Sequence, residues 1–266
     1  MTLTERSARV AAAVKLHRHV GRRRAGRFLA EGPNLVEAAL RRDLVVEAFA
    51  TEAAAQRFAP ILGDVPVHLV TERAAKTLSD TITPVGLVAV CDVPTTDLQD
   101  VLADAPRLVA VAVEISEPGN AGTLIRIADA MGADAVVLAG HSVDPYNGKC
   151  LRASAGSIFS IPVVSDQDAG RAVGALRDAG LQVLATTVDG ETSLDDADLS
   201  QPTAWLFGPE AHGLPTELAG MAAHRVNIPM PGGAESLNVA AAAAICLYQS
   251  ARAHRGQQTQ RSRDTP

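Results

Sequence analysis

Short apolar runs alternate with helix-period segments over nearly the whole chain, and this alternation restricts the fold more than any other feature. In the front part FLAEG, VVEAFA, VHLV and GLVAVCD are separated by NLVEAALRR, EAAAQRFA and TERAAKTLSD, the grammar of a small α/β sandwich. In the rear part the strand signals strengthen: RLVAVAV, AVVLAG, FSIPVV, QVLATT, AWLFG and HRVNIP, with helices from about Ala121, near Ala169 to Ala179, and from Ser236. Strands so uniformly apolar are buried on both faces, which predicts a mostly parallel sheet covered by helices, with ligand groups on the loops leaving the strand C-termini. The intervening DVPTTDLQDVLADAPR carries two prolines and four Asp and no strong strand signal. The expected organisation is a first domain over 1–92, a linker over 93–106, a second domain over 107–255, and a disordered polar tail over 256–266.

Composition narrows the function classes. The chain has 266 residues, 47% apolar and 20% charged. No apolar run approaches the roughly 18 residues of a membrane span, so no membrane association is expected. The opening MTLTERSARV has no basic start, apolar stretch or small-residue cleavage site, which predicts a cytoplasmic protein. Cys91, Cys150 and Cys246 are widely spaced and odd in number, arguing for buried inert thiols rather than disulfides or a metal site. The net charge is −6, but residues 1–30 carry eight Arg or Lys against the single Glu5. A basic head on an acidic body suits a polyanion gripped at one end, and equally a solvated helix face.

The usual anchors of common enzymes are absent: no G-x-G-x-x-G after a strand, no GxxxxGK[ST], no G-x-S-x-G, no HExxH. Three polar, glycine-containing loops remain. In EISEPGNAGTLIRIADAMGA, Asn120 is a good N-cap, Leu124, Ile127, Ala128 and Met131 form an apolar stripe, Gly132 fits the stop, and Arg126 falls off the stripe. In WLFGPEAHGL, Gly208 and Pro209 shape a turn and Glu210 projects a charge. In NIPMPGGAESLNVAAAAAICLYQSARAH, Ser236 can cap a slender alanine-rich helix and Asn238 occupies its first turn, where a stronger helix former is normally preferred. Taken singly, each loop is equally a capped helix or a plain strand-to-helix turn.

Taken together and in order, PGNAGTLIRIADAMGADAVVL, LRASAGSIFSIPV, LFGPEAHGL and IPMPGGAESLNVAAAAAICLY resemble the SpoU branch of the SPOUT class, the TrmH-like RNA ribose 2′-O-methyltransferases. The front segment RRRAGRFLAEGPNLVEAAL is similar to the L30e-like substrate-binding domain of ribosomal RNA members, and the likeness is greatest to the thiostrepton-resistance type of 23S ribosomal RNA enzyme. The resemblance implies a parallel-sheet catalytic domain with a deep trefoil knot, which ordinary topology rules would exclude, and a smaller L30e-like α/β domain. It implies a homodimer formed through the knotted region, and S-adenosylmethionine held by Thr186, Thr187, Gly208, Glu210, Ile228, Met230, Leu237 and Asn238, with Ala185 an alternative to the threonines. No metal is implied.

The resemblance further implies Arg126, Asn120, Ser236, Asn238 and Glu210 as the catalytic set. Arg126 as a literal base conflicts with a guanidinium pKa above about 12 and its lack of an acceptor, so it is expected to orient the 2′-hydroxyl and stabilise the developing alkoxide. Glu210 is equally a structural partner of Arg126 or of loop N–H groups. Arg18, Arg22, Arg23, Arg24 and Arg27 are expected on the RNA backbone. Arg152 is expected on a phosphate or in a partner copy's site, or else in a simple salt bridge. Aromatic residues are only 3% of the chain, so RNA shape and phosphate geometry should outweigh base stacking. Two rivals stay open beside the 23S ribosomal and transfer RNA enzymes: an inactive RNA-binding protein of the same fold, and a small-molecule α/β enzyme with a nucleotide cofactor.

Overall fold

The computed structural model describes residues 2–209 and 212–263, with side chains through residue 256. The chain divides into two compact units, one comprising the residues up to Thr95 together with Tyr146–Phe159, the other Thr96–Pro145 together with the residues from Ser160 onward.

The first unit runs α1 (Ala8–Val14), a short 3-10 turn (Lys15–His17), α2 (His19–Ala25), β1 (Arg27–Glu31), α3 (Pro33–Leu40), β2 (Val45–Ala50), α4 (Glu52–Leu62), β3 (Val67–Leu69), α5 (Glu72–Leu78) and β4 (Leu87–Asp92). The strands form one sheet in the order β1-β4-β2-β3, antiparallel except for the parallel β2–β3 pair. Thr51 and Thr71 cap α4 and α5 by accepting from Ala54 and Ala74 N–H, the local signal that starts each helix after its strand. Val10, Ala13 and Leu16 pack with Phe49, Leu78, Val88 and Val90 in one core.

The second unit contains α6 (Leu98–Ala103), β5 (Leu108–Val113), α7 (Pro118–Ala130) and β6 (Ala135–Ala139). The chain then enters α8 (Gly148–Ser154), which belongs to the first unit, and returns through β7 (Val163–Asp166), α9 (Ala169–Asp178), β8 (Gln182–Thr186), β9 (Thr192–Ser193), β10 (Thr203–Phe207), α10 (Thr216–Ala219), β11 (His224–Asn227) and α11 (Val239–Arg263). Seven strands pair in the order β7-β6-β5-β10-β8-β11-β9, all parallel, as the apolar runs predict. One face of the sheet, with Val109, Val111, Val113, Val137 and Leu206, packs on α6, α9 and α10. Alternation sends Trp205 to the other face, where its indole N–H donates to the buried Ser250 hydroxyl of α11 at 2.9 Å.

Several expectations are corrected. The segment 93–106 is not a plain linker, because Asp97 and Asp100 form a reciprocal capping box that starts α6, and Leu98 and Val101 enter the second unit's core. The aspartates read as loop markers are helix-start residues. LRASAGS clusters with the first unit: Phe28 meets the rings of Tyr146 and Phe159 at 4.8 and 5.9 Å. Helix α11 continues through Arg263, past the Gly256 expected to open a disordered tail. One glycine in a helix costs only about 1 kcal/mol, and the Gln and Arg that follow are good helix formers. All three cysteines are free and buried, and burial pushes the Cys91 thiol up to about 12.

Arg22 departs furthest from expectation. It is 5% exposed and donates from Nη1 to the carbonyls of Leu16 and His17, both at 2.9 Å, so it closes the α1–α2 junction instead of facing RNA. Arg22→Ala strands those carbonyls and should lower unfolding free energy by about 2 kcal/mol, whereas Arg23→Ala on the exposed face should change it by less than about 0.5 kcal/mol, both read by denaturant titration.

Candidate functional site

At the C-terminal edge of the second unit's sheet, β8, β10 and β11 are adjacent and parallel, so the chain leaves all three at one end. The loop after β8 is held by β11. Arg225 N–H and Nε donate to the two oxygens of Glu191, both at 3.0 Å, its Nη1 reaches Asp189 at 3.2 Å, and Asn227 Nδ2 donates to Gly190 O at 2.8 Å. The Arg225 backbone N–H, aided by the loop's own backbone and the guanidinium, keeps the Glu191 carboxyl below its ordinary range. The loop after β10 folds back on itself, and a Cβ on Gly208 would lie 2.6 Å from Leu214 N, so only glycine permits that approach.

These loops and the start of α11 enclose a cavity of about 560 Å³. Its lining includes Thr186, Thr187, Gly208, Ile228, Met230 and Leu237 of the expected cofactor set, together with Ser236 of the catalytic set. It also includes residues that the sequence did not single out for binding: Val188 and Asp189 just past the threonines, His212, Leu214 and Glu235. The signal for Val188 and Asp189 was their place directly after an apolar strand, masked by a loop without a glycine fingerprint. Glu210, expected in both the cofactor and catalytic sets, lies outside the described residues.

The residues present fit S-adenosylmethionine. The volume falls within the roughly 300–1,000 Å³ of small-molecule sites. Thr187 Oγ1 is buried without a hydrogen-bond partner among the described residues, a polar atom for a ligand to satisfy. No Lys or Arg is among the described lining residues, while Asp189 and Glu235 are, which suits a sulfonium and an amine better than a pyrophosphate.

Beside the cavity the two helix starts meet. The N-cap of α7 is Glu117, which accepts from Gly119 N–H, and Pro118 occupies the first helical position. Asn120 is therefore in the first turn, not the cap as expected. Conversely Asn238, expected in a first turn, caps α11: its Oδ1 accepts from the N–H groups of Ala240 at 2.9 Å and Ala241 at 3.4 Å. The helix thus begins at Val239, not Ser236. Asn238 Nδ2 donates to Asn120 Oδ1 at 3.1 Å, joining the first and third loops. The buried face of α7 is Ala121, Leu124, Ile125 and Ala128, with Ile127 only half-buried, and Arg126 is exposed with no ion pair among the described residues.

In the first unit Arg18, Arg23 and Arg24 are exposed. Arg27 pairs with Asp92 at 2.9 Å, and Arg152 lies 3.4 Å from Asp80 and 3.9 Å from Glu31, the salt-bridge alternative for that residue.

The profile of the SpoU rRNA methylase family matches residues 107–248, and that of the MRM3-like substrate binding domain matches residues 7–89. The chain is 34% identical over 234 residues to the 23S rRNA (guanosine(2553)-2′-O)-methyltransferase RlmP of Bacillus subtilis, covering 88% of this chain and 92% of that protein. It is 38% identical over 174 residues to the 23S rRNA (uridine(2479)-2′-O)-methyltransferase of Streptomyces viridochromogenes, covering 64% and 61%. The AdoMet-bound crystal structure of the SpoU methyltransferase AviRb from Streptomyces viridochromogenes superposes with a TM-score of 0.84 at 31% identity, over 93% of this chain and 98% of that one. The AdoMet-bound rRNA methyltransferase from Sinorhizobium meliloti gives 0.85 at 30% identity, over 95% and 97%. With the family profile matching more than half of the chain and RlmP 34% identical over most of both proteins, the chain belongs to the SpoU rRNA methylase family.

Proposed function

We propose that this protein transfers a methyl group from S-adenosylmethionine to a ribose 2′-hydroxyl of 23S ribosomal RNA. The observation that carries the proposal is the cavity at the ends of β8, β10 and β11, with the Asn120–Asn238 pair bonded beside it. Thr187, Gly208, Ile228, Met230 and Leu237 hold the cofactor there, with Thr186 set back on a bond to Leu206 O at 2.8 Å. When bound, S-adenosylmethionine supplies a methyl carbon made electrophilic by its sulfonium.

The protein's own residues position the hydroxyl and stabilise its charge. Arg126 stays protonated, so it donates to the ribose and the adjacent phosphate and stabilises the developing alkoxide, while the proton leaves to phosphate or water. Asn120 and Asn238 fix the ribose from two helix starts that their mutual bond holds in register. Ser236, exposed on the loop before α11, orients the hydroxyl. On the first unit Arg18, Arg23 and Arg24 take phosphates.

A homodimer completes the proposal. Ala241, Ile245, Tyr248 and Arg252 are exposed at four- and three-residue spacing along α11, with Ile245 and Tyr248 37% and 49% exposed, a seam suited to a second copy. The α7 and α11 starts, brought together across the sheet, are consistent with the knotted connection that the family resemblance implies. No helix among the described residues is long and apolar enough to cross a membrane.

Incubation with methyl-labelled S-adenosylmethionine and either 23S ribosomal RNA or transfer RNA, followed by alkaline hydrolysis, should place the label at one alkali-resistant 2′-O-methyl site in the ribosomal RNA. Label in transfer RNA alone transfers the proposal to that substrate, and label in neither contradicts it. Arg126→Ala should cut kcat/KM by about 10²–10³, and Arg126→Lys should retain less than about a tenth of activity. Gly208→Ala should weaken S-adenosylmethionine binding at least about tenfold by calorimetry, because the new Cβ meets the Leu214 backbone, which cannot yield as a side chain can.

A further inference from the structure

The chain between β8 and β9 crosses β11. Strand β8 pairs with one edge of β11, where Thr186 is in register with Val226, and β9 pairs with the other edge, where Thr192 is in register with the same Val226. Residues 187–191 make that crossing in backbone contact: a Cβ on Gly190 would stand 2.7 Å from Val226 C and from Asn227 N. No side chain fits at such an approach. Bonds to β11 tie the segment down before, at and after Gly190. Thr187 N–H donates to Val226 O at 3.0 Å, Asn227 Nδ2 to Gly190 O at 2.8 Å, and Leu194 N–H to Asn227 O at 2.9 Å.

The same segment lines the cavity through Thr187, Val188 and Asp189, whereas neither Glu191 nor Arg225 is among the described lining residues. Two carboxylates two positions apart in one short loop repel each other, and Arg225 bridges them, with Nε on Glu191 at 3.0 Å and Nη1 on Asp189 at 3.2 Å. A planar guanidinium fork can reach both at once. The three side chains are 41–72% exposed, so these pairs add little to global stability. What they fix is local: the path of the segment that carries Asp189 and Thr187, whose buried Oγ1 has no hydrogen-bond partner among the described residues.

Resting on the methyltransferase reading above, we propose that Arg225 is a positioning residue for the cofactor, holding Thr187 and Asp189 at the cavity wall in the arrangement that binds S-adenosylmethionine without touching the cofactor itself. Position and charge act here with opposite sign. S-adenosylmethionine carries a sulfonium and an ammonium against one carboxylate, so removing a nearby cation tightens its binding if charge alone matters. Freeing the segment weakens binding, because the loop must then be ordered each time the cofactor enters.

Calorimetric titration with S-adenosylmethionine in the absence of RNA, with melting temperature and methylation kinetics alongside, compares wild type with Arg225→Ala, Arg225→Lys, Glu191→Gln and Arg177→Ala. Arg225→Ala should raise Kd and the cofactor KM about five- to tenfold, with kcat at saturating cofactor and the KM for RNA unchanged. Its melting temperature should stay within about 3 °C of wild type. Arg225→Lys, a point charge in place of the fork, should fall between wild type and Arg225→Ala, and Glu191→Gln should show a smaller rise because Asp189 keeps its bond to Arg225. Arg177→Ala removes an exposed cation paired with Asp178 outside the described cavity lining, and should bind as wild type does. Unchanged or tighter binding in Arg225→Ala overturns the proposal, as does a rise in Kd accompanied by a melting temperature more than about 3 °C lower, which marks general loosening. A wild type that binds no S-adenosylmethionine contradicts the methyltransferase reading, whereas normal binding in wild type and every variant contradicts only the positioning role.

Discussion

One side-chain hydrogen bond, from Asn238 Nδ2 to Asn120 Oδ1 at 3.1 Å, closes a loop of 118 residues and fixes the functional edge of the second unit. It is strong in effect because each end is already committed. Asn120 sits in the first turn of α7, a helix started by Pro118 and capped by Glu117. Asn238 spends its own Oδ1 on the first N–H groups of α11. The bond therefore ties together the starts of two helices that already pack against each other, and with them the loops that lead into each helix.

The sheet makes that juxtaposition possible. A parallel arrangement sends every strand C-terminus to the same edge, and the order β5-β10-β8-β11 sets the start of α7 next to the loops after β8, β10 and β11. Within this frame local chemistry does specific work. Arg225 clamps the Asp189–Glu191 segment, Gly208 permits a backbone approach that no Cβ would allow, and Thr187 contributes a buried hydroxyl oxygen with no hydrogen-bond partner among the described residues. The cavity draws its charge from carboxylates, while Arg18, Arg23 and Arg24 are exposed on the first unit and Arg126 on the second.

The strands and most helices were legible because buried parallel strands write themselves as continuous apolar runs, as in LVAVAV and AVVLA. The cavity-lining residues after QVLATT, at Gly208 and at Ile228 were singled out through the family resemblance, and their convergence follows from loops that leave one sheet edge. Helix starts were harder. Ser236 and Asn238 are both good caps by residue type, and only the position of Val239 decides between them; Asn120 was outcompeted by the Glu117–Pro118 pair. Arg22 reads like its neighbours Arg23 and Arg24, and nothing local reveals that α2 turns it toward the Leu16 and His17 carbonyls. The Asp97–Asp100 pair looked like a linker because a capping box and a polar loop share a composition.

A double-mutant cycle on Asn120 and Asn238 tests most directly whether the two act as a single unit. Measuring kcat/KM for methyl transfer to ribosomal RNA in Asn120→Ala, Asn238→Ala and the double variant gives the coupling. If the bond organises the site, the double variant should be little worse than the poorer single one, with a coupling of about 1–3 kcal/mol. Losses that simply add, within about 0.5 kcal/mol, would show two independent contacts and contradict the view that this bond assembles the site.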